Sequence, residues 1–162
     1  MEKSAACSRT EQVQIVGNDA LNGYDRLFGG RLLEWIDIVA GVAARRHACM
    51  NVTTAAIDSL EFRKPAYAND TIVLLGCVTW TGRTSMEVCV RTYIEKLSGQ
   101  RELINRAYLI LVALDADGHP AAVPQLKVET PEEKAEWAAA LERKRLRALR
   151  RAAACAGPDA GM

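Results

Sequence analysis

Gly29-Gly30-Arg31-Leu32-Leu33-Glu34-Trp35-Ile36-Asp37-Ile38-Val39-Ala40-Gly41-Val42-Ala43-Ala44-Arg45-Arg46 is the stretch that decides the fold. From Leu32 to Ala44 it is nearly apolar all round, the pattern of a buried helix rather than a surface one. Helix signals run from about Gly30 to Arg46. Upstream, Glu11 to Val16 alternates and reads as a first strand. Downstream come four strand-like stretches: Thr53 to Phe62, Thr71 to Thr79, Thr84 to Glu95 and Glu102 to Leu114. In the third of these, Met86, Val88, Val90 and Ile94 share one face, and Ser85, Glu87, Cys89 and Arg91 the other. The fourth is apolar over its second half and reads as covered on both faces. Strand, long apolar helix, then consecutive strands is an α+β order, not the alternation of a parallel sheet. A central helix wrapped by a curved antiparallel β-sheet is the economical packing.

Residues 1–10 read as a disordered N-terminus and residues 11–128 as one globular domain. Thr130-Pro131-Glu132-Glu133 is a capping box with proline at the first helical position, so a separate C-terminal helix is expected within 129–153. Its last part carries Arg143, Lys144, Arg145, Arg147, Arg150 and Arg151. These cations read either as a solvated helix end that suits the dipole or as a phosphate site. Residues 154–162 read as a flexible tail.

The chain has 162 residues and a net charge of only +1. Nothing in that balance calls for nucleic acid or membrane insertion. No apolar run reaches a membrane span, and Met1 to Gln14 is too polar for a signal peptide. The five cysteines are scattered without a C-x-x-C pair, and with only His47 and His119 available no metal-ligand cluster is expected. They read as reduced thiols in a cytoplasmic protein.

The start of the helix holds the chemistry. Asn22 offers a side-chain amide in the preceding loop. Gly29 and Gly30 let other groups approach the free N–H groups of the first helical turn. Those N–H groups, aided by the helix dipole, can hold an oxyanion. Asp37 lies two turns on, among Leu33, Ala40, Gly41 and Ala44, where burial would favour a general base. The alternative is a carboxylate at the helix edge, solvated or paired to Arg31 or Arg45. A donor site and a base on one segment point to acyl transfer. Gly82-Arg83-Thr84-Ser85 opens a strand with a guanidinium and two hydroxyls, suited to a phosphate or pantetheine amide, or simply an ordinary turn. Neither a phosphate-binding P-loop nor Gly-x-Ser-x-Gly is present.

From about Glu11 to Arg151 the chain resembles the hot-dog-fold acyl-CoA thioesterases of the cytosolic, or brain-type, acyl-CoA hydrolase family. The marks are Asn22, Gly29-Gly30, Leu33-Glu34-Trp35-Ile36-Asp37, Ala44-Arg45-Arg46-His47, Thr54-Ala55-Ala56-Ile57-Asp58, Gly82-Arg83-Thr84-Ser85-Met86-Glu87-Val88, Val123-Pro124-Gln125-Leu126 and the Thr130 capping box followed by a basic helix. The resemblance implies a hot-dog fold, with paired copies sharing active sites at their common edge. It implies catalytic roles for Asp37 and Asn22, which can come from different subunits. It also implies coenzyme A contacts at Thr54, Ala55, Ala56, Arg83, Thr84, Ser85 and Arg145. Many members carry His before the two glycines; here Phe28 stands there, which leaves the oxyanion to backbone N–H groups.

The expected reaction is hydrolysis of a fatty acyl-CoA to a free acid and CoA. Asp37 would act as general base or as nucleophile, with no metal and no cofactor beyond the CoA moiety of the substrate. The rivals are an acyl-CoA hydratase or dehydratase, which would need His47 beside the carboxylate, and a non-catalytic acyl-CoA sensor. The expected assembly is at least a dimer, and by resemblance a hexamer built as a trimer of dimers.

Overall fold

The structure, a computed structural model, describes residues 1–156. In chain order the elements are β1 (Glu2–Ser4), β2 (Thr10–Ile15), α1 (Gly29–Ala48), β3 (Asn51–Phe62), β4 (Thr71–Thr81), β5 (Ser85–Glu95), β6 (Arg101–Leu114), β7 (Gln125–Lys127) and α2 (Pro131–Cys155). Five strands form one antiparallel sheet in the order β2-β4-β5-β6-β3, while β1 and β7 pair in parallel as a separate ribbon. The long apolar helix α1 lies across the inner face of the sheet and α2 against the outer face. This is the hot-dog fold.

Alternation sorts the strands into two faces. Ile72, Leu74, Val78, Met86, Val88, Val90, Leu109 and Leu111 point inward to meet Ile36, Val39, Ala40, Ala43 and Ala44 of α1. Gly76 is needed at the closest approach: a Cβ there would sit 2.6 Å from Val39 Cγ1. Truncating one of these side chains, Ile36 for example, would cost about 2–5 kcal/mol.

Two expectations are corrected. Residues 1–10 are ordered rather than loose. β1 pairs residue by residue with β7, Ala5 and Ser8 are buried, and the Lys3 ammonium caps the end of α1 through the carbonyls of Arg46 and His47. The short ribbon ties the first residues to the segment just before α2, which no periodicity within three residues could announce. Second, α1 is not buried all round. Leu32, Trp35, Ile36 and Val39 are buried, but Asp37 is exposed, Ile38 is 49% exposed, and a Cβ on Gly41 would meet open space. Beside Asp37, Ile38 and the Gly41 position leave an open strip on α1 in the single chain. The C-terminal helix runs to Cys155, into the expected tail; residues 157–162 lie outside the described residues.

The basic run on α2 is resolved in a way neither reading anticipated. Glu87, fully buried near the start of β5, accepts from Nε and one terminal nitrogen of Arg143 at 3.0 and 2.8 Å, and from Thr79 Oγ1 at 2.8 Å. Arg147 donates to Asp58 of β3 at 2.8 Å, and Arg150 reaches the same carboxylate at 3.4 Å. Arg143 also lies 3.7 Å over the Tyr108 ring, whose hydroxyl donates to Glu136. Half of the cations thus fasten α2 to the sheet.

Candidate active site

The loop before α1 is shaped by Asn22. Its Oδ1 accepts from the N–H of Tyr24 at 2.9 Å and of Arg26 at 3.2 Å, an Asx turn that aims the chain into the helix. Asn22 donates its own N–H to the Arg26 carbonyl at 2.7 Å, so the loop is closed from both sides. The side-chain NH₂ is left without a partner among the described residues. Phe28 supplies the N-cap position without a side-chain cap. The N–H groups of Gly29 and Gly30 find no acceptor among the described residues, as the oxyanion reading requires. Phe28 folds its ring over Gly30, so closely that a Cβ there would lie 2.5 Å from Phe28 Cε1.

Asn22 and Gly29 share a cleft of about 350 Å³ whose floor is Leu32, Ala66 and Ile104 and whose rim carries Arg26, Arg63 and Lys64. Neither the floor residues nor the rim were singled out from sequence. They come from the loop before α1, from α1 itself, from the segment after β3 and from β6, and only the fold brings them together.

Asp37 stands apart from this cleft. It lies seven residues from Gly30 along α1, about 10 Å at 1.5 Å per residue. Its contact is with β3: Thr54 Oγ1 donates to Asp37 Oδ1 at 2.7 Å. Expected as a coenzyme A contact, Thr54 is thus also the group that orients the carboxylate. Within one chain the structure joins Asn22 with Gly29 and Asp37 with Thr54, and does not join the two pairs. Asp37 is exposed in the single chain, not buried as its apolar helix face led one to expect.

Thr54 and Ala55 are exposed and Ala56 is half-buried. The register of β3 against β6 slips between Thr54 and Ala56, and again between Ile57 and Ser59. Those bulges fall on an edge strand, where the backbone is free to meet a ligand or another strand. Arg83 is exposed at the β4–β5 turn and forms no ion pair among the described residues, and the hydroxyls of Thr84 and Ser85 are also without partners there. Arg145 is exposed and held by Glu142, one turn away, in a two-pronged pair at 2.9 and 2.6 Å. Trp80 links these regions: Gly82 packs on its ring, and Lys144 Nζ lies 4.6 Å from its centre.

His47 is fully buried. Its Nε2 bonds the Pro124 carbonyl at 2.8 Å and its Nδ1 has no partner, so it ties α1 to the segment before β7 rather than serving Asp37. Burial, reinforced by the nearby Lys3 charge, pushes its pKa below the usual 6.5 against the pull of the Pro124 carbonyl. Against expectation, Asp115, Asp117 and His119 bring ligand atoms within 4.8 Å of one another. All three are exposed at a turn, and Asp115 Oδ1 is occupied by the N–H groups of Asp117 and His119 at 2.9 Å, which accounts for the cluster as an Asx turn.

Comparison with known proteins places this geometry. A model of the thioesterase superfamily matches residues 24–98. An uncharacterized acyl-CoA thioester hydrolase of Bacillus subtilis is 43% identical over 113 residues, 69% of this chain and 66% of its own length. The human cytosolic acyl coenzyme A thioester hydrolase is 30% identical over 130 residues, 78% of this chain but only 34% of that protein. This chain therefore spans just under two thirds of the first relative and about a third of the second. Among solved structures, an apo hexameric acyl-CoA thioesterase superposes with a TM-score of 0.89 at 41% identity, covering 93% of this chain and 97% of that one. An acyl-CoA hydrolase of Staphylococcus aureus, solved with butyryl coenzyme A, coenzyme A and coenzyme A disulfide, has a TM-score of 0.90 at 33% identity, covering 95% and 94%. That hydrolase has also been solved with one asparagine, one aspartate or one threonine changed to alanine, at positions 15 and 17 residues apart.

Proposed function

The chain belongs to the thioesterase superfamily, and from that premise we propose that it hydrolyses fatty acyl-CoA thioesters to a free acid and CoA. Within the superfamily we place it with the cytosolic, brain-type hydrolases and infer a cytoplasmic location; among the described residues, no helix is long and apolar enough to cross a membrane. The observation that carries the reading is an exposed carboxylate on an apolar stripe, fixed by Thr54 at 2.7 Å. Asn22, Asp37 and Thr54 are themselves 15 and 17 residues apart, the spacing of the three substituted positions in the S. aureus hydrolase.

The thioester carbonyl accepts from the N–H groups of Gly29 and Gly30, which stabilise the charge as it develops. Asn22 turns its free NH₂ toward the carbonyl or the attacking water. Asp37, with Oδ1 held by Thr54, uses Oδ2 to take the proton as water adds. Collapse of the tetrahedral intermediate expels CoA thiolate. The axial distance between Gly30 and Asp37 means that one chain does not complete the site. Asp37 of one copy serves the cleft of another, brought together across the open stripe of α1 and the edge strand β3. A hexamer of three such dimers is the proposed assembly. The backbone at the β3 bulge (Thr54, Ala55, Ala56), the turn Arg83-Thr84-Ser85 and Arg145 receive the coenzyme A moiety, and no further cofactor is required. A hydratase is disfavoured because His47 is committed to Pro124. An acyl-CoA sensor would have no use for an oriented Asp37.

The test is steady-state hydrolysis of an acyl-CoA series with a thiol reagent. Asp37→Ala should lower turnover at least about a hundredfold, the scale of a lost general base, with the fold intact. Mixing Asp37→Ala with Asn22→Ala subunits should restore part of the activity. Near-normal turnover in the first variant sinks the mechanism; subunit exchange without rescue sinks the shared site.

A further inference from the structure

The outer face of the sheet carries a groove that the hydrolytic site does not use. Arg91 of β5 and Arg106 of β6 are direct partners across the ladder. Side chains so placed have Cβ atoms about 5 Å apart, and like charges there repel. Between them and the first turns of α2 opens a cavity of about 690 Å³, lined also by Arg9, Cys77 and Cys89.

The acidic groups around it are mostly engaged elsewhere. Glu136 Oε1 accepts from the Tyr108 hydroxyl at 2.7 Å and from Arg143 at 3.0 Å, while its Oε2 forms a long ion pair with Arg91 at 3.8 Å. Glu133 closes the capping box. Glu61, the β3 partner of Arg106, faces Arg63 at 3.7 Å. Only the exposed Glu132 remains without a partner at the rim. Arg106 makes no hydrogen bond or ion pair among the described residues, and its Nε is buried without an acceptor. The Arg9 side chain also has no partner there. Three guanidiniums converge on one cavity, and two of them are forced together by strand register.

We propose that this groove binds a phosphate-type oxyanion between Arg9, Arg91 and Arg106, at a site separate from the coenzyme A contacts and on the opposite face of the sheet from α1. Planar guanidinium forks match such an oxyanion, whose charge would offset the part of the Arg91–Arg106 repulsion that Glu136, paired only with Arg91, leaves in place. The N-terminus of α2 is already closed by Thr130 and Glu133, so the donors are the arginines.

The test uses the full chain carrying Arg83→Ala and Arg145→Ala, which removes the cations proposed for coenzyme A. Inorganic phosphate and glycerol phosphate are titrated against sodium chloride at matched ionic strength, followed by thermal melting and calorimetry. At a hundredfold excess over the dissociation constant, melting should rise by roughly 5–10 °C beyond the salt control. Arg106→Gln should weaken binding about ten- to a hundredfold. Equal binding of both anions marks a site that reads the phosphate group alone; tighter binding of the ester shows that the rest of the cavity receives its organic part. Without added anion, Arg106→Gln should melt no lower than the parent, because it relieves the repulsion. No binding beyond the salt control, binding indifferent to Arg106→Gln, or a large loss of stability in that variant would each overturn the proposal. The outcome is independent of whether the chain hydrolyses thioesters.

Discussion

Replacing Arg143 by methionine should destabilise the fold far more than replacing Glu87, although the two form one ion pair. Removing Arg143 leaves a fully buried carboxylate with Thr79 as its close partner and Arg147 at 3.6 Å. Stranding one member of a buried pair costs about 3–5 kcal/mol. Removing Glu87 instead leaves each arginine another acceptor: Arg143 keeps Glu136 at 3.0 Å and the Tyr108 face, and Arg147 keeps Asp58 at 2.8 Å. That loss should be nearer 1–2 kcal/mol, the range of an ordinary hydrogen bond lost with its partner satisfied elsewhere. The double replacement should resemble the Glu87 variant alone, giving a coupling of about 3–5 kcal/mol, the full cost of the Arg143 variant. At about 2–4 °C per kcal/mol for a chain of this size, Arg143→Met should melt roughly 10 °C lower. The assay is urea unfolding at fixed protein concentration, followed by fluorescence of Trp80 and Trp137. Their rings lie 6.1 Å apart at the junction of β4 and α2 and report its docking. Equal costs for the two single variants, or additive costs in the double, would show that Glu87 is not sealed and that the helix docks by other means.

Three further outcomes follow from the same geometry. Thr54→Val should lower turnover about tenfold or more while leaving melting nearly unchanged, because it frees Asp37 to rotate; Thr54→Ser should restore most of the rate, and a normal rate in the valine variant would remove Thr54 from the mechanism. The folded-state pKa of His47 is lowered, so the unfolded chain takes up the proton first; stability should be complete above about pH 6.5 and lost as pH falls through the folded value, and His47→Gln should flatten that slope in urea titrations from pH 7.5 to 5. Arg83→Ala and Arg145→Ala should each raise the Michaelis constant about ten- to a hundredfold with little loss of turnover, an effect that shrinks in high salt and vanishes on an acyl-pantetheine; equal losses on both substrates would move the nucleotide elsewhere.

The elements of this fold are legible in the chain because period and length agree. A long apolar helix, four strand-length runs and a Thr-Pro-Glu-Glu cap each state their own conformation, and the observed ends differ from the expected ones by a few residues. What lies outside a segment is not legible within it. An apolar helix position reads the same whether this chain or another copy covers it, which is why the pattern predicts burial for Ile38 and Asp37. Glu87 falls correctly on the polar side of its strand, but alternation does not say whether that side meets water or a helix. The arginines of α2 therefore read as solvated or phosphate-binding, when three of them are bound to Glu87 and Asp58. Of the candidate site, residue types and backbone donors could be named from sequence. The Thr54–Asp37 bond could not, because it needs the register of α1 on β3.

The buried ion pairs and the proposed chemistry occupy different faces of this sheet. The outer face is closed by α2 and its buried ion pairs, apart from the groove at Arg91 and Arg106. The inner side is closed by α1 over most of its width but left open where α1 meets β3. There Ile38, Ile57, Phe28 and Phe62 keep 41–55% of their surface in water. Fully burying a side chain of this size is worth about 1.5–3 kcal/mol, so leaving four half-open in a single chain is a substantial stored driving force. It is concentrated around Asp37, Thr54 and the glycine N–H groups. A second copy laid along β3 would bury that surface, pair the free strand edge and exclude water from the carboxylate in one event. On the proposed shared site, association and completion of the site would be the same step, and a variant that weakens the apolar stripe, such as Ile38→Asp, should act on turnover through the population of paired chains.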